Sequence, residues 1–183
     1  MPLVVEFAAQ EPGRLARWWA EVLGWTVEGE ADVRPDGPGA HLRFVPATGP
    51  KNGQNDVHLD LRSESHGDQT HTVERLFNHG ARFADIGQST EVPWVVMSDI
   101  EDNELCVLEP RKAYAYTGPL AAVVVDATDP REQARAWAEE LDYDIVAEQS
   151  EFASLRPPSG EGPHLEFLHH ENPNPGMLRV LPA

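Results

Sequence analysis

"EPGRLARWWAEVLGW", residues 11–25, returns as "DPREQARAWAEELDY" at residues 129–143. Pro12 matches Pro130, Ala16 matches Ala134, Trp19 matches Trp137 and Leu23 matches Leu141, with Trp25 or Tyr143 two residues on. Each phrase is followed by a second matching one, "GPGAHLRFV" at 37–45 and "GEGPHLEFL" at 160–168. Repetition of this kind marks a structural module.

Within the first copy, Leu15, Trp18, Trp19, Val22 and Leu23 recur at i, i+3, i+4, i+7 and i+8, the face of a helix packed on a sheet. Pro12 near the first helical position and Gly24 after the last set its ends. "LVVEFA" before it reads as a strand, and short strands follow near 25–29, 31–35 and 40–45, divided by "RPDGPG". The unit is strand, helix, three strands. After the polar link "ATGPKNGQN" it repeats as "DVHLDLR", a helix around "QTHTVERLFNHG", then "ARFAD", "PWVVMS" and "ELCVLEP". A third pass runs from "PLAAVVVDA" through "DPREQARAWAEEL" to "YDIVAE", "FASLR" and "HLEFLHH", and "MLRVL" opens a fourth.

The composition, 40% hydrophobic and 25% charged, is that of a globular chain. Net charge is −17, from 31 acidic and 14 basic residues. No basic stripe with interleaved aromatics is present, which argues against nucleic acid and anionic membranes as partners. No apolar run reaches the ~20 residues of a membrane span, and "MPLVVEFAAQEPG" lacks the features of a signal peptide. With Cys106 as the only cysteine, disulfides within the chain are impossible and a cytoplasmic address is expected.

Four segments, "ARWWAEVLGW", "KNGQNDVHLDL", "VERLFNHGARF" and "PWVVMSDIEDNELCVLEP", in this order resemble the glyoxalase/bleomycin-resistance/dioxygenase superfamily, also called vicinal oxygen chelate proteins, and in particular its bacterial glyoxalase-like branch. The resemblance implies an α+β fold of tandem βαβββ modules, whose strands curl into an open mixed sheet with helices outside and a ligand cavity on the concave side. It implies a complete unit of two modules at 1–112 and a third module at 113–183, the half of a second unit. The uncovered edge of that half-unit leads to the expectation of a homodimer, in which two third modules pair across a two-fold axis. The rival arrangement folds module three back within one chain.

Strand alternation assigns faces without reference to any family. Val57, Leu59 and Leu61 pack, which turns His58, Asp60 and Arg62 the other way. By the same rule Glu6 opposes Leu3, Val5 and Phe7; His41 and Arg43 oppose Leu42 and Phe44; and Glu104 and Cys106 oppose Leu105 and Val107. A one-sided sheet shows such residues to water; in a sheet curled as the resemblance implies, they line a pocket, with Trp94 as a further lining residue or part of the core. The two arginines then favour an anionic or aromatic small molecule.

Metal-using members of the superfamily draw ligands from four strand positions, which the resemblance carries over onto Val4, Arg43, His58 and Cys106. Val4 cannot ligate and Arg43 repels a cation, so no cofactor is expected, with a metal at His58 as the alternative. In the third module Glu166 falls on such a position and Ala122 on its partner. Cys106 reads as an inert buried thiol, and His169, His170 and Glu171 as a solvated strand end. The leading expectation is a small-molecule binding protein. The alternatives are a lyase, isomerase or dioxygenase using His58 with a metal or with Asp60, and an assembly protein with a vestigial pocket.

Overall fold

In the computed structural model, which describes residues 3–89 and 91–182, the repeated phrases fold into the same local unit three times. Module one is β1 (Leu3–Ala9), α1 (Pro12–Leu23), β2 (Thr26–Glu28), β3 (Asp32–Arg34) and β4 (His41–Pro46). Module two is β5 (Val57–Leu61), α2 (His66–Asn78), β6 (Arg82–Phe83), β7 (Val95–Ser98) and β8 (Glu104–Val107). After a 3-10 turn at Lys112–Tyr114, module three is β9 (Leu120–Ala127), α3 (Pro130–Leu141), β10 (Asp144–Glu148), β11 (Phe152–Arg156) and β12 (His164–His169), and β13 (Leu178–Pro182) follows.

The helix ends carry the local logic. Gly24 closes α1 in the left-handed region, φ 66°, and its N–H donates to Ala20 O. Asp142 occupies the equivalent place after α3 at φ 56° and donates to Ala138 O, one of the few side chains that tolerate this conformation. The Asp129 carboxylate accepts from the N–H groups of Arg131 and Glu132, and Ser65 Oγ accepts from the N–H of Asp68. Such caps contribute about 1 kcal/mol each.

Each module places its first strand parallel to its last: β1 with β4, β5 with β8, β9 with β12. Between modules the pairing differs from the expectation. β5 runs antiparallel to β9, and β1 antiparallel to β13. The result is an eight-stranded sheet, ordered β10-β11-β12-β9-β5-β8-β7-β6, and a five-stranded sheet, ordered β13-β1-β4-β3-β2. Modules two and three thus share the eight-stranded sheet, and the 112/113 boundary lies between two of its strands, β8 and β9. Module three also finds its partner strand within the chain, so its inner edge is not open to a second copy. The physical reason lies in β9, where Leu120, Ala121, Ala122, Val123 and Val124 are all buried. A strand apolar on both faces belongs in the interior of a sheet.

The core runs between the helices and both sheets. Phe7 stacks on Phe44 at 4.8 Å and tilts against Trp19 at 5.6 Å, and Trp18 meets Trp19 edge-on at 5.2 Å. The Trp18 indole donates to His79 O at 2.9 Å and the Trp19 indole to Asp99 Oδ2 at 3.0 Å, which ties α1 to module two. The C-terminal arm docks where the Met177 N–H donates to Asn55 Oδ1 at 2.7 Å. Gly176 lies so close to Asn55 that a Cβ there would collide with it. Among the described residues, no helix is long and apolar enough to cross a membrane.

Candidate functional site

On β5, Val57, Leu59 and Leu61 enter the core, which leaves His58 and Asp60 on the opposite face. β8 stands parallel beside it with Cys106 level with Asp60. On the other side β9 sets Val124 opposite His58 and Ala122 opposite Asp60, and β12 sets Glu166 level with Val124 and His164 level with Ala122. Two rows result across four strands: His58, Val124, Glu166; and Cys106, Asp60, Ala122, His164. The β5–β9 register slips between Asp60 and Leu61, a bulge of the kind often found beside functional sites.

These rows meet a cavity of about 370 Å³. Its polar lining includes His58, Asp60, Cys106, Glu166, Tyr114 and Arg111. Its apolar lining includes Trp94, Phe152, Leu108 and Ile86. A larger recess of about 850 Å³ lies beside α1, but its charged residues, Arg17 and Glu30, are exposed. Among the described residues, several buried titratable groups converge at the smaller cavity, which makes it the candidate site.

The electrostatics follow from burial. His58 Nε2 is 3.4 Å from Asp60 Oδ1. Burial alone lowers the His58 pKa, but Asp60 beside it, with Asp126 and Glu104, outweighs that and raises it. Asp60 Oδ1 is buried and accepts no hydrogen bond among the described residues. Burial, reinforced by Asp60, pushes the Cys106 thiol far above its usual range, so the free thiol is a poor nucleophile. Glu166 Oε1 accepts from Tyr114 Oη at 3.0 Å and lies 3.1 Å from Ser154 Oγ, which is itself 3.0 Å from His164 Nδ1. Burial and the charge of Asp60 push the Glu166 carboxyl up to about 7 in spite of those contacts. Burial, with Arg156, lowers His164 to about 4, so its 3.7 Å approach to Glu166 is no ion pair at neutral pH. Arg111 is held by Glu109 at 2.6 Å and lies over the Trp94 ring at 5.7 Å.

Of the residues singled out from sequence, His58, Asp60, Trp94 and Cys106 line this cavity. The others lie elsewhere. Glu6, His41 and Arg43 belong to the five-stranded sheet, where Glu6 accepts from Arg179 Nε at 2.7 Å and Arg43 Nε donates to Asp32 at 3.2 Å. Burial and the neighbouring Arg34 lower the pKa of His41. Arg62 pairs with Glu64 at 3.2 Å and lines a different recess, near Trp25 and Tyr116. Glu104 is taken by Lys51 at 2.6 Å and by the Asn55 N–H at 3.2 Å. The residues that alternation collects are therefore divided between two sheets.

Tyr114, Arg111 and Phe152 are among the cavity residues that sequence reasoning passed over. Tyr114 and Arg111 lie in a link without periodicity. Phe152 shares a strand face with Ser154 by alternation, and would have been found once module three was set beside module two.

The ligating atoms of His58, Asp60 and Cys106 all lie within 4.8 Å of one another. Imidazole, carboxylate and thiol are a donor set that fits a transition-metal ion. Val4 and Arg43, which counted against a metal, are in the other sheet.

The family described as Glyoxalase-like domain matches residues 3–108. Among solved structures, glyoxalase I from Zea mays is similar at 10% identity and a TM-score of 0.69, over 97% of this chain and 72% of that one. A putative dioxygenase from Bacillus subtilis subsp. subtilis str. 168 is similar at 14% identity and a TM-score of 0.58, over 97% of this chain. The chain spans 64% of the length of that dioxygenase. No curated protein matches the chain in sequence.

Proposed function

The chain belongs to the Glyoxalase-like domain family, and from that premise we propose that it binds a small organic molecule in the cavity shared by modules two and three. One observation carries the reading: His58, Asp60, Cys106 and Glu166, drawn from three strands, face a common cavity together with Trp94 and Phe152. Few polar groups converging among apolar and aromatic walls is the usual make-up of a small-molecule site. The ligand is neutral or cationic and partly aromatic. The anionic expectation rested on Arg43 and Arg62, which pair with Asp32 and Glu64 away from the cavity. The cavity's own arginine, Arg111, is neutralised by Glu109.

A second reading, catalysis, is favoured by a specific feature. Glu166 titrates near neutral pH beside His58 and Asp60, the condition under which a carboxyl both gives and takes a proton. A metal ion at His58, Asp60 and Cys106 would supply a Lewis acid at the cavity wall. This chain's residues would then orient the substrate between Trp94 and Phe152 and exchange its proton at the Glu166 carboxyl. The proposal includes a cytoplasmic address, in keeping with the lone cysteine, and a homodimer whose contact is not assigned to module three's inner edge.

Calorimetric titration of chelator-treated protein with catechol, tyramine and benzoate tests the binding reading. Catechol and tyramine bind, and benzoate binds at least tenfold more weakly. Tightest binding of benzoate, or binding of none of the three, contradicts it.

A further inference from the structure

The two copies of the glycine-rich phrase meet in space. Gly39 precedes β4 and Gly162 precedes β12, and a Cβ on Gly162 would lie 3.3 Å from Gly39 Cα, an approach that glycine permits. The Gly162 N–H donates to Tyr116 O at 3.3 Å. Loops of modules one and three and the link before β9 therefore converge. Beside this junction lies a recess of about 430 Å³, which shares no lining residue with the cavity between β5 and β12.

Arg62 reaches this recess because the β5–β9 register slips just before it, and bulges re-aim the side chains beside them. Its N–H donates to Pro119 O at 2.9 Å, which anchors the backbone. The guanidinium lies 3.2 Å from Glu64 Oε1, yet the Arg62 side chain is 22% exposed and that of Glu64 73%. An ion pair with so exposed a carboxylate is weak, so another carboxylate can replace it. Trp25, half-buried, and Tyr116, 73% exposed, bring two aromatic rings to the same recess, and Glu161 brings an exposed carboxylate.

We infer that this recess is a second small-molecule site and that it takes a free aromatic amino acid in its zwitterionic form. The ligand carboxylate pairs with Arg62, for which a planar guanidinium is the favoured partner. The ligand ammonium faces Glu161, and the ring packs against Trp25 and Tyr116. Charge of both signs on the wall is what selects the class. A plain anion meets Glu161 uncompensated, and a plain cation meets Arg62. The volume falls within the roughly 300–1,000 Å³ of ligand pockets.

The repeat supplies an internal contrast. Tyr143 occupies the place of Trp25 in module three and lines a recess of about 340 Å³ on the other side of Pro38 and Gly39. The charged residues lining that recess, Asp142 and Glu161, are both acidic. It offers no cation to a carboxylate, so the two related recesses differ in what they hold.

Titration of isotopically labelled full-length protein with L-phenylalanine, 3-phenylpropionate and phenylalaninamide tests the site. Affinities are read from the Trp25 indole N–H, assigned with Trp25→Phe, and from the Tyr116 and Gly162 amides. L-Phenylalanine shifts these signals saturably, and the two singly charged analogues bind there at least about fivefold more weakly. Arg62→Ala weakens L-phenylalanine at least about tenfold and erases its preference over phenylalaninamide. Glu161→Gln brings 3-phenylpropionate level with L-phenylalanine. Thermal melts establish that the variants fold, and if Arg62→Ala does not, Glu161→Gln decides. No saturable shift at Trp25, shifts only around Tyr143 or only around His58 and Glu166, or unchanged affinities in both variants overturns the inference. Catechol titration reads the cavity between β5 and β12 through other residues, so either site can fail alone.

Discussion

Tyr114 Oη donates a 3.0 Å hydrogen bond to Glu166 Oε1, joining the link after module two to the last strand of module three. The bond favours the ionised carboxylate, yet burial and the charge of Asp60 prevail and hold Glu166 at about 7, against 4.5 for the free side chain. Between those two values the folded state binds the proton and the unfolded state releases it. Stability therefore falls as pH rises through this window and levels off above it. Glu166→Gln keeps an acceptor for Tyr114 but cannot titrate. In urea unfolding of chelator-treated protein, the variant should gain on the parent by up to about 3 kcal/mol between pH 4.5 and 7. A stability difference that does not change with pH contradicts this.

The Trp19–Asp99 bond gives a second measurement. Asp99 is 1% exposed and also accepts from the N–H groups of Glu101 and Asn103 and from the Asn103 side chain. Asp99→Ala leaves these donors unpaired and should cost about 3 kcal/mol or more. Trp19→Ala opens a cavity beside Phe7 and should cost about 3–5 kcal/mol. The double variant should lose less than the sum of the two, by about 0.5–3 kcal/mol. Additivity in denaturant unfolding would show that the two residues are not coupled.

The strand pairing predicts the fate of a shortened chain. Cutting after residue 112 removes β9 from the flank of β5 and β13 from the flank of β1. Both sheets then expose a bare edge backed by apolar side chains, the condition for association. The 1–112 fragment should lack a cooperative melt and aggregate. A monodisperse fragment that unfolds cooperatively would mean that modules one and two form a unit without the rest.

Much of this fold is legible in the sequence because its determinants are local. The helical face Leu15, Trp18, Trp19, Val22 and Leu23 and the alternation in "VHLDL" each dictate an element and its buried side. Which first strand lies beside which is a long-range matter, and each module offers the same edge. The one sequence signal was β9: "LAAVVVDA" is apolar at adjacent positions rather than alternate ones, and its first five residues are buried. That pattern calls for neighbours on both sides. Missing it joined Glu6, His41 and Arg43 to His58 and Cys106, and left Phe152 and Glu166 out of the cavity.

Trp94 presents its ring to the cavity with Arg111 over it at 5.7 Å. Its truncation removes an aromatic wall without touching His58 or Asp60. Trp94→Ala should weaken catechol binding by about 1–2 kcal/mol. An unchanged catechol affinity would place the ligand elsewhere.

The central claim is that ligand binds between β5 and β12, in the cavity made by modules two and three. Backbone amide chemical shifts of isotopically labelled, metal-free protein, recorded during a catechol titration, test it most directly. The account predicts saturable shifts at His58, Asp60, Cys106, Phe152 and Glu166, with Glu6, His41 and Arg43 unmoved. Shifts confined to the five-stranded sheet, around Glu6 and Arg43, would contradict it.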